Sequence, residues 1–455
     1  MKALLQEAAE RASRYQENLE ARGVAPTREA LNKLEHLREA LPQKSTDPET
    51  VLSLLDDVGS TATVATAGGR FFGFVTGGSL PAALAANWLA GAWDQNAFSF
   101  ISSPVAVTLE EIALGWLIDV LALPGESGGA FVTGATMANF TALAAARNAV
   151  LNRFGWDVEA EGLFNAPEVE VLVGAEAHPT LLKALGMLGL GRKRLTVVPV
   201  DEQGRMLAVA LPALSKSRPA IVCIQAGNVN TGAFDEAEEI CEAAREACAW
   251  VHVDGAFGLW AAASPKRAQL VKGFANADSW ATDAHKWLNV PYDSGLAFVR
   301  HPERLKAAMS ISASYLPEGE IREPMHYTPE ASRRARGVEV WAALRSLGRE
   351  GVADLIERNC GHASRFAEGF KGAGYQVLND VTLNQVLVSF GDAETTRKVI
   401  EGIQEDGTCW CGGTVWQGRT AMRVSVSSWA TTDVDVERSL EAILRIASAT
   451  VKTDK

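Results

Sequence analysis

Between about residue 105 and residue 300 the chain alternates short apolar or β-branched runs with helical patterns, and no other feature limits the fold so strongly. The runs lie at 171–173, 195–200, 220–224, 250–253, 279–282 and 295–299. Each is too short for a helix that buries a face. Strands that alternate with helices over this length predict a parallel or mixed sheet covered on both faces. Ligands of such open sheets sit beyond the carboxyl ends of the strands. The residues that follow each run are therefore the place to look for chemistry.

Two runs end in reactive residues. Trp250-Val-His-Val-Asp254 closes an apolar run on a carboxylate. Asp278-Ser-Trp-Ala-Thr-Asp-Ala-His-Lys-Trp287 places His285 and Lys286 at the end of another, with Lys286 32 residues after Asp254. An acid and a lysine on neighbouring strand ends suit pyridoxal phosphate, which needs a lysine for its aldehyde and a carboxylate beside its ring nitrogen. Asp254, ionised and partly buried, keeps that nitrogen protonated. Lys286 holds the aldehyde until an incoming amine displaces it, and desolvation favours the neutral amine this exchange needs. Singly, Asp254 reads as a turn cap and Lys286 as a surface lysine. Their shared strand-end context favours a site.

Other segments agree. Ala130-Phe-Val-Thr-Gly-Ala-Thr136 is an apolar run entering a glycine turn, and a helical pattern follows over 137–147. Thr136 is the expected N-cap, and the free N–H groups of that helix start form an anion site suited to a phosphate. His178 follows the run at 171–173, where its flat imidazole is a candidate to stack on the cofactor ring; a lone histidine is otherwise structural. In the loop 225–235, Asn228, Asn230 and Thr231 either reach a phenolic oxygen or build an Asx turn.

Composition narrows the class. Of 455 residues, 43 are Lys or Arg and 55 are Asp or Glu, a net charge of −12 that disfavours binding to nucleic acid or to an anionic membrane. With 47% hydrophobic and 22% charged residues the chain is neither disordered nor fibrous. Six cysteines are too few for a disulfide scaffold. Cys223, Cys241, Cys248 and Cys360 read as small core residues, and Cys409-Trp-Cys411 lacks the spacing of a redox or zinc motif, so no metal centre is expected. The N-terminus is a charged amphipathic helix pattern without the apolar stretch of a signal peptide, and a cytoplasmic location is expected. The charge-free stretch 71–93 is long enough to span a bilayer, but it holds Gly73, Gly77, Gly78, Pro81 and Asn87. A loop followed by a buried helix is the better expectation. Three parts are predicted: a helical arm at 1–60, a large α/β domain at 61–330, and a smaller α+β domain at 331–455. The last has helices at 338–347, 394–404 and 433–446 and strands at 385–389 and 422–427.

Taken together, Arg70-Phe-Phe-Gly73, Thr133-Gly-Ala-Thr-Met-Ala-Asn139, His178, His252-Val-Asp-Gly-Ala256, Asp283-Ala-His-Lys-Trp287 and Ser332-Arg-Arg-Ala-Arg336 resemble the pyridoxal-phosphate-dependent group II amino acid decarboxylases. That family has the fold of aspartate aminotransferase (fold type I). The resemblance covers nearly the whole chain, and the ordered set is specific where each piece alone is not. It implies Lys286 as the aldehyde-holding lysine, Asp254 as the partner of the ring nitrogen and His178 as the stacking residue. It implies phosphate contacts from Ala135, Thr136 and His285, and a small residue, Ala256, below the ring. Asn230 is the loop residue most exposed to a cofactor role. The family is homodimeric with sites at the subunit interface. By resemblance the N-terminal helices clasp the partner, and the loop 72–76, with Phe74, lines the neighbouring site. Arg423 matches the arginine that holds a substrate α-carboxylate in glutamate-type members; its alternative is a surface ion pair.

Two positions depart from the family pattern. Pro324 stands where the mobile loop usually carries a tyrosine that protonates Cα, leaving Tyr327, or His326 beside it, as the candidate donor. Val229 stands where many members have a threonine, so Asn228, Asn230 or Thr231 must serve there. The expected reaction is loss of the α-carboxylate of an L-amino acid, giving an amine and carbon dioxide. Rivals are Cα–Cβ cleavage, oxidative deamination to an aldehyde, and a non-catalytic scaffold of the same fold. Trp410, Trp416 and Trp429 read as core or as an apolar pocket. Arg322 and Arg336, in a charged stretch expected to be solvated, would favour an acidic substrate. Aromatic and acidic substrates rank equally.

Overall fold

All six runs become strands, and one more precedes them. In chain order these are β1 (Gly128–Val132), β2 (Glu170–Gly174), β3 (Thr196–Val198), β4 (Ala220–Gln225), β5 (Trp250–Asp254), β6 (Ser279–Asp283) and β7 (Gly295–Val299). They form one sheet in the order β1-β7-β6-β5-β4-β2-β3. β7 runs antiparallel to β1 and β6, and the pairs from β2 to β6 are parallel. This is the expected mixed, mostly parallel α/β sheet. β5, β6 and β7 are buried at every residue, as strands with both faces covered must be.

The computed structural model describes residues 1–310 and 321–453. Two compact units divide the chain. The first comprises Met1–Thr76, Arg365–Leu378 and Leu387–Lys455; the second comprises Gly77–Ser364 and Asn379–Val386.

The first unit begins with α1 (Lys2–Glu17), α2 (Arg28–Lys33) and α3 (Pro48–Leu54). Their starts follow the sequence signals. Thr27 accepts from the Ala30 N–H at 3.2 Å, and Asp47 accepts from Glu49 and Thr50 with Pro48 in the first turn. Arg70, buried, donates to the carbonyls of Glu20, Arg22 and Thr408. It thereby ties three distant stretches of this unit together.

In the second unit, α4 (Pro81–Trp93) and α5 (Pro104–Val120) precede β1. Only Ala83 and Ala86 of α4 are buried, whereas Trp88, Leu89 and Trp93 are exposed on this chain. The expected helix is present, but the expectation that it is buried fails. Lack of charge marks a surface that avoids water, which is not the same as a surface covered within one chain. Among the described residues no helix is long and apolar enough to cross a membrane.

α6 (Ala135–Asn152) lies across β5, β6, β7 and β1. Ala138, Ala142, Ala145 and Ala146 are fully buried, and their small side chains let the helix sit close to the sheet. The approach is closest at Gly295, where an added Cβ would lie 2.4 Å from the Gly134 backbone. The helix begins at Ala135 with Gly134 as N-cap, so Thr136 belongs to its first turn and is not the cap. The oxygen that meets the helix start comes instead from β6: Asp283 Oδ1 accepts from the Ala135 N–H at 2.6 Å. Next in the unit come α7 (Val158–Glu161), α8 (Pro179–Met187), α9 (Ala237–Glu246) and α10 (Pro302–Met309). α8 and α10 share an apolar cluster with α6 through Leu143, Leu181, Leu185 and Leu305. α11 (Gly337–Gly372) turns at Gly348, whose φ is 62°.

The C-terminal part of the first unit holds β8 (Gln376–Val377), α12 (Ala393–Asp406), β10 (Gly412–Trp416), β11 (Arg419–Ser425) and α13 (Asp433–Thr453). With β9 (Gln385–Ser389) the strands form a sheet in the order β10-β11-β9-β8. Trp416 packs with Leu387 and Ala421 and is core. Cys248, expected in the core, is exposed at a turn after α9, while the other five cysteines are buried.

Candidate active site

β5 and β6 run parallel with Asp254 beside Ala281, so Asp254 and Asp283 finish adjacent strands two residues out of step. The turn after β6 carries His285 and Lys286. His285 is fixed by the Ser294 N–H, 3.0 Å from its Nδ1, and by the ring of Tyr292 at 4.3 Å. Burial holds this imidazole below its usual pKa, which favours its neutral form. Lys286 Nζ lies 2.9 Å from Asp283 Oδ2. Gly77 abuts the same turn: a Cβ there would lie 1.9 Å from the Lys286 carbonyl oxygen.

Asp254 is 3% exposed. Its carboxylate makes a single hydrogen bond among the described residues, a long one of 3.4 Å from the Ala256 N–H. Burial pushes this carboxyl above the usual range. Interaction with His178 and with the Lys286 charge pulls it back down, and Asp283 pushes it up. The three predicted residues therefore share one neighbourhood, each close enough to act on Asp254. A buried carboxylate with so little hydrogen bonding is costly unless a cation meets it.

His178 caps α8 with its ring. Its Nδ1 takes the Thr180 N–H at 3.3 Å and stands 2.6 Å from Thr180 Oγ1. An Nδ1 that accepts from a backbone N–H leaves the ring proton on Nε2.

Two residues behind Asp254 on the same face of β5, His252 has the opposite environment. Its Nε2 bonds Asn139 Oδ1 at 2.8 Å and its Nδ1 bonds Ser279 Oγ at 2.9 Å. Ser279 Oγ in turn accepts from Trp250 Nε1 at 2.8 Å. Burial lowers His252 to about 3, so it is neutral in the folded protein.

Several candidates turn out to be committed elsewhere. Asn228 Oδ1 accepts from the N–H groups of Asn230 and Thr231, and the Thr231 hydroxyl bonds the Gln203 carbonyl at 2.7 Å. These two residues build the Asx turn. The stretch around Arg322 and Arg336 is not solvated, contrary to expectation. Arg322 bonds the Gly129 carbonyl and lies 4.1 Å over the Tyr327 ring, while Arg336 pairs with Asp293 at 2.7 Å and Arg333 with buried Glu110 at 2.6 Å. Arg333 and Arg336 are buried, and the arginines of this segment find partners inside the unit. Tyr327 also packs on the apolar cluster beside α10, and His326 Nδ1 lies 3.1 Å from Ser310 Oγ. Glu320, the first residue of that loop segment, lies outside the described residues.

Phe74 and Arg423 belong to the first unit. Phe74, at φ 56°, is 67% exposed with its ring 5.4 Å from that of Trp410. Arg423, on β11 opposite Gly412, is half-buried, and burial lowers its pKa. Asp283, Thr180 and Tyr292 went unnoticed in the sequence. Only Asp283 left a local signal there, its spacing of three from Lys286.

The donor set fits pyridoxal phosphate: a lysine amine at a strand end, a buried carboxylate short of a cation, a flat imidazole held by its own helix, and the start of an 18-residue helix beside them. Comparison with known proteins agrees. Residues 33–391 match the model of the pyridoxal-dependent decarboxylase conserved domain. The chain is 26% identical to an aromatic-L-amino-acid decarboxylase of Bacillus atrophaeus, over 90% of this chain and 87% of that protein. It is 30% identical to an L-2,4-diaminobutyrate decarboxylase of Rhizobium meliloti, over 79% and 74% respectively. The fold matches a crystal structure of Oryza sativa TDC with PLP and tryptamine at a TM-score of 0.91 and 23% identity, covering 98% of this chain and 97% of that one.

Proposed function

Given that the chain belongs to the pyridoxal-dependent decarboxylase family, we propose that it removes the α-carboxylate of a ring-bearing L-amino acid, releasing the amine and carbon dioxide. The observation that carries this reading is the buried, hydrogen-bond-poor carboxylate of Asp254, which feels the charges of the neighbouring strand-end groups. Bound pyridoxal phosphate supplies the electron sink for the pair left on Cα when a bond to it breaks.

The chain's own residues bind, orient and move protons. Lys286 Nζ would hold the cofactor through its aldehyde. Asp254 keeps a proton on the ring nitrogen, and this cation in turn keeps the carboxylate ionised. Ala135, Thr136 and His285 hold the phosphate at the start of α6. Ala256 and His178 would hold the two faces of the ring, with Asn230 as a further contact. The Tyr327 hydroxyl, or His326 beside it, is the candidate donor of a proton to Cα, and either would have to leave its present partners to act. By family resemblance Phe74 would serve the neighbouring subunit's site, and Arg423 would meet a substrate α-carboxylate.

Commitment of Arg322 and Arg336 to other partners weakens the case for an acidic side chain, and exposed Phe74 beside Trp410 favours an aromatic one. A homodimer is part of the same proposal. The apolar residues of α4 left in water, together with exposed Ile101 and Ile112, form a surface for a second copy. The helices within 1–60 would act as a clasping arm, with 61–330 and 331–455 as the large and small domains.

The test is an amine-product screen with purified, cofactor-loaded protein across the proteinogenic amino acids. Amine and carbon dioxide in equal amounts from an aromatic substrate are expected, and turnover of none of them with release of carbon dioxide would overturn the reading. Pro324 at the loop-tyrosine position favours one second reading, oxidative deamination. Aldehyde, ammonia and hydrogen peroxide would then replace the amine.

A further inference from the structure

Asp283 is 2% exposed, yet its two oxygens point at two different positive groups. Oδ1 accepts from the Ala135 N–H at 2.6 Å, at the positive end of α6. Oδ2 lies 2.9 Å from Lys286 Nζ, and His285 Nε2 is 3.6 Å from Oδ1. The carboxylate is thus fixed on one side by backbone and holds a flexible side chain on the other. A free lysine side chain has about 2 kcal/mol of rotamer entropy to lose on being ordered. A fixed carboxylate in contact with Nζ removes most of that search before any ligand arrives.

We propose that Asp283 is a positioning residue that clamps Lys286 to the start of α6 and keeps its Nζ engaged until the cofactor enters. The proposal rests on the assignment of Lys286 as the aldehyde-holding lysine. The clamp places Nζ beside the N–H groups assigned to the phosphate, so both ends of the cofactor are met by a preset spacing. A phosphate bound at the start of α6 would compete for the Ala135 N–H that Asp283 now uses, which would loosen the clamp and free Nζ, any proton it carries passing to solvent water. The ionisable groups that face Nζ are Asp283 from β6, Asp254 from β5 and His285 from its own turn.

The experiment uses the full-length, cofactor-free protein. Trace acetylation with acetic anhydride at pH 7.5, followed by digestion and mass spectrometry, measures the reactivity of Lys286 relative to exposed Lys193. Asp283→Asn keeps an acceptor for the Ala135 N–H and removes the charge. It should raise Lys286 acetylation at least about fivefold, because Nζ is no longer held against a carboxylate. Equal or slower acetylation in the variant would overturn the clamp. If Asp283→Asn does not fold by circular dichroism, Asp283→Ser, which also keeps an acceptor without charge, takes its place under the same criterion. Pyridoxal phosphate added to the wild-type protein separates the two ideas. Absence of a lysine-linked visible band counts against the cofactor assignment, whereas the acetylation ratio judges Asp283 by itself.

Discussion

His252 and Asp254 sit two residues apart on the same face of one fully buried strand, and their surroundings differ completely. Both nitrogens of His252 are hydrogen-bonded, and the chain runs on through Ser279 to the Trp250 indole. Asp254 has one long contact and a set of charges around it. A satisfied buried polar group holds strands and helix in place. A buried charge left short of partners is tolerated only where something else completes it. Over about 7 Å of strand the protein passes from scaffold to site.

The sharpest way to break this contrast is to remove the amine that faces Asp254. Lys286→Ala should abolish the lysine-linked absorbance band and lower turnover by about a thousandfold or more, while thermal unfolding changes little. Next in size is Asp254→Ala, which should retain cofactor weakly and lose about a hundred- to a thousandfold in turnover with the absorbance band still present. At His252 the pattern should invert. His252→Ala should cost about 1–3 kcal/mol in denaturant unfolding by stranding Asn139 and Ser279, with the turnover of the folded fraction reduced only modestly.

The pH dependence sharpens the same point. His252 is depressed to about 3 in the folded protein, below the usual value near 6.5, so the unfolded chain binds the extra proton. Stability from this group is intact above about pH 6.5 and is lost as pH falls toward about 3, with a slope of at most about 1.4 kcal/mol per pH unit. His252→Gln should flatten that slope between pH 6.5 and 4.5. An unchanged slope would show that His252 is not the acid-labile group. The smallest effect is expected at Thr180. Thr180→Ala should leave stability within about 1 kcal/mol and raise KM and lower kcat by a few fold, with Thr180→Ser restoring both.

Much of this was legible in the chain. Runs ending at Asp254 and Lys286 gave away both a covered sheet and where to look on it, because burial on two faces demands continuous apolar residues and leaves polar ones at the ends. Helix starts at Thr27 and Asp47 were equally plain, since a cap and its partner N–H lie within three residues. Other features had no local trace. Asp283 meets Ala135 across 148 positions, which displaced Thr136 from the cap it was expected to form. The arginines near 330 read as solvated because their partners, Gly129, Asp293 and Glu110, are all remote in sequence. α4 read as buried because composition reports an aversion to water without naming what covers the surface.

The sequence by itself determined the strand and helix pattern, the family and the kinds of groups at the strand ends, since these follow from periodicity and from motifs a few residues long. Only the tertiary structure decided which of those groups touch. Whether a buried charge is satisfied depends on register and packing between segments more than a hundred residues apart, and no local pattern encodes that distance.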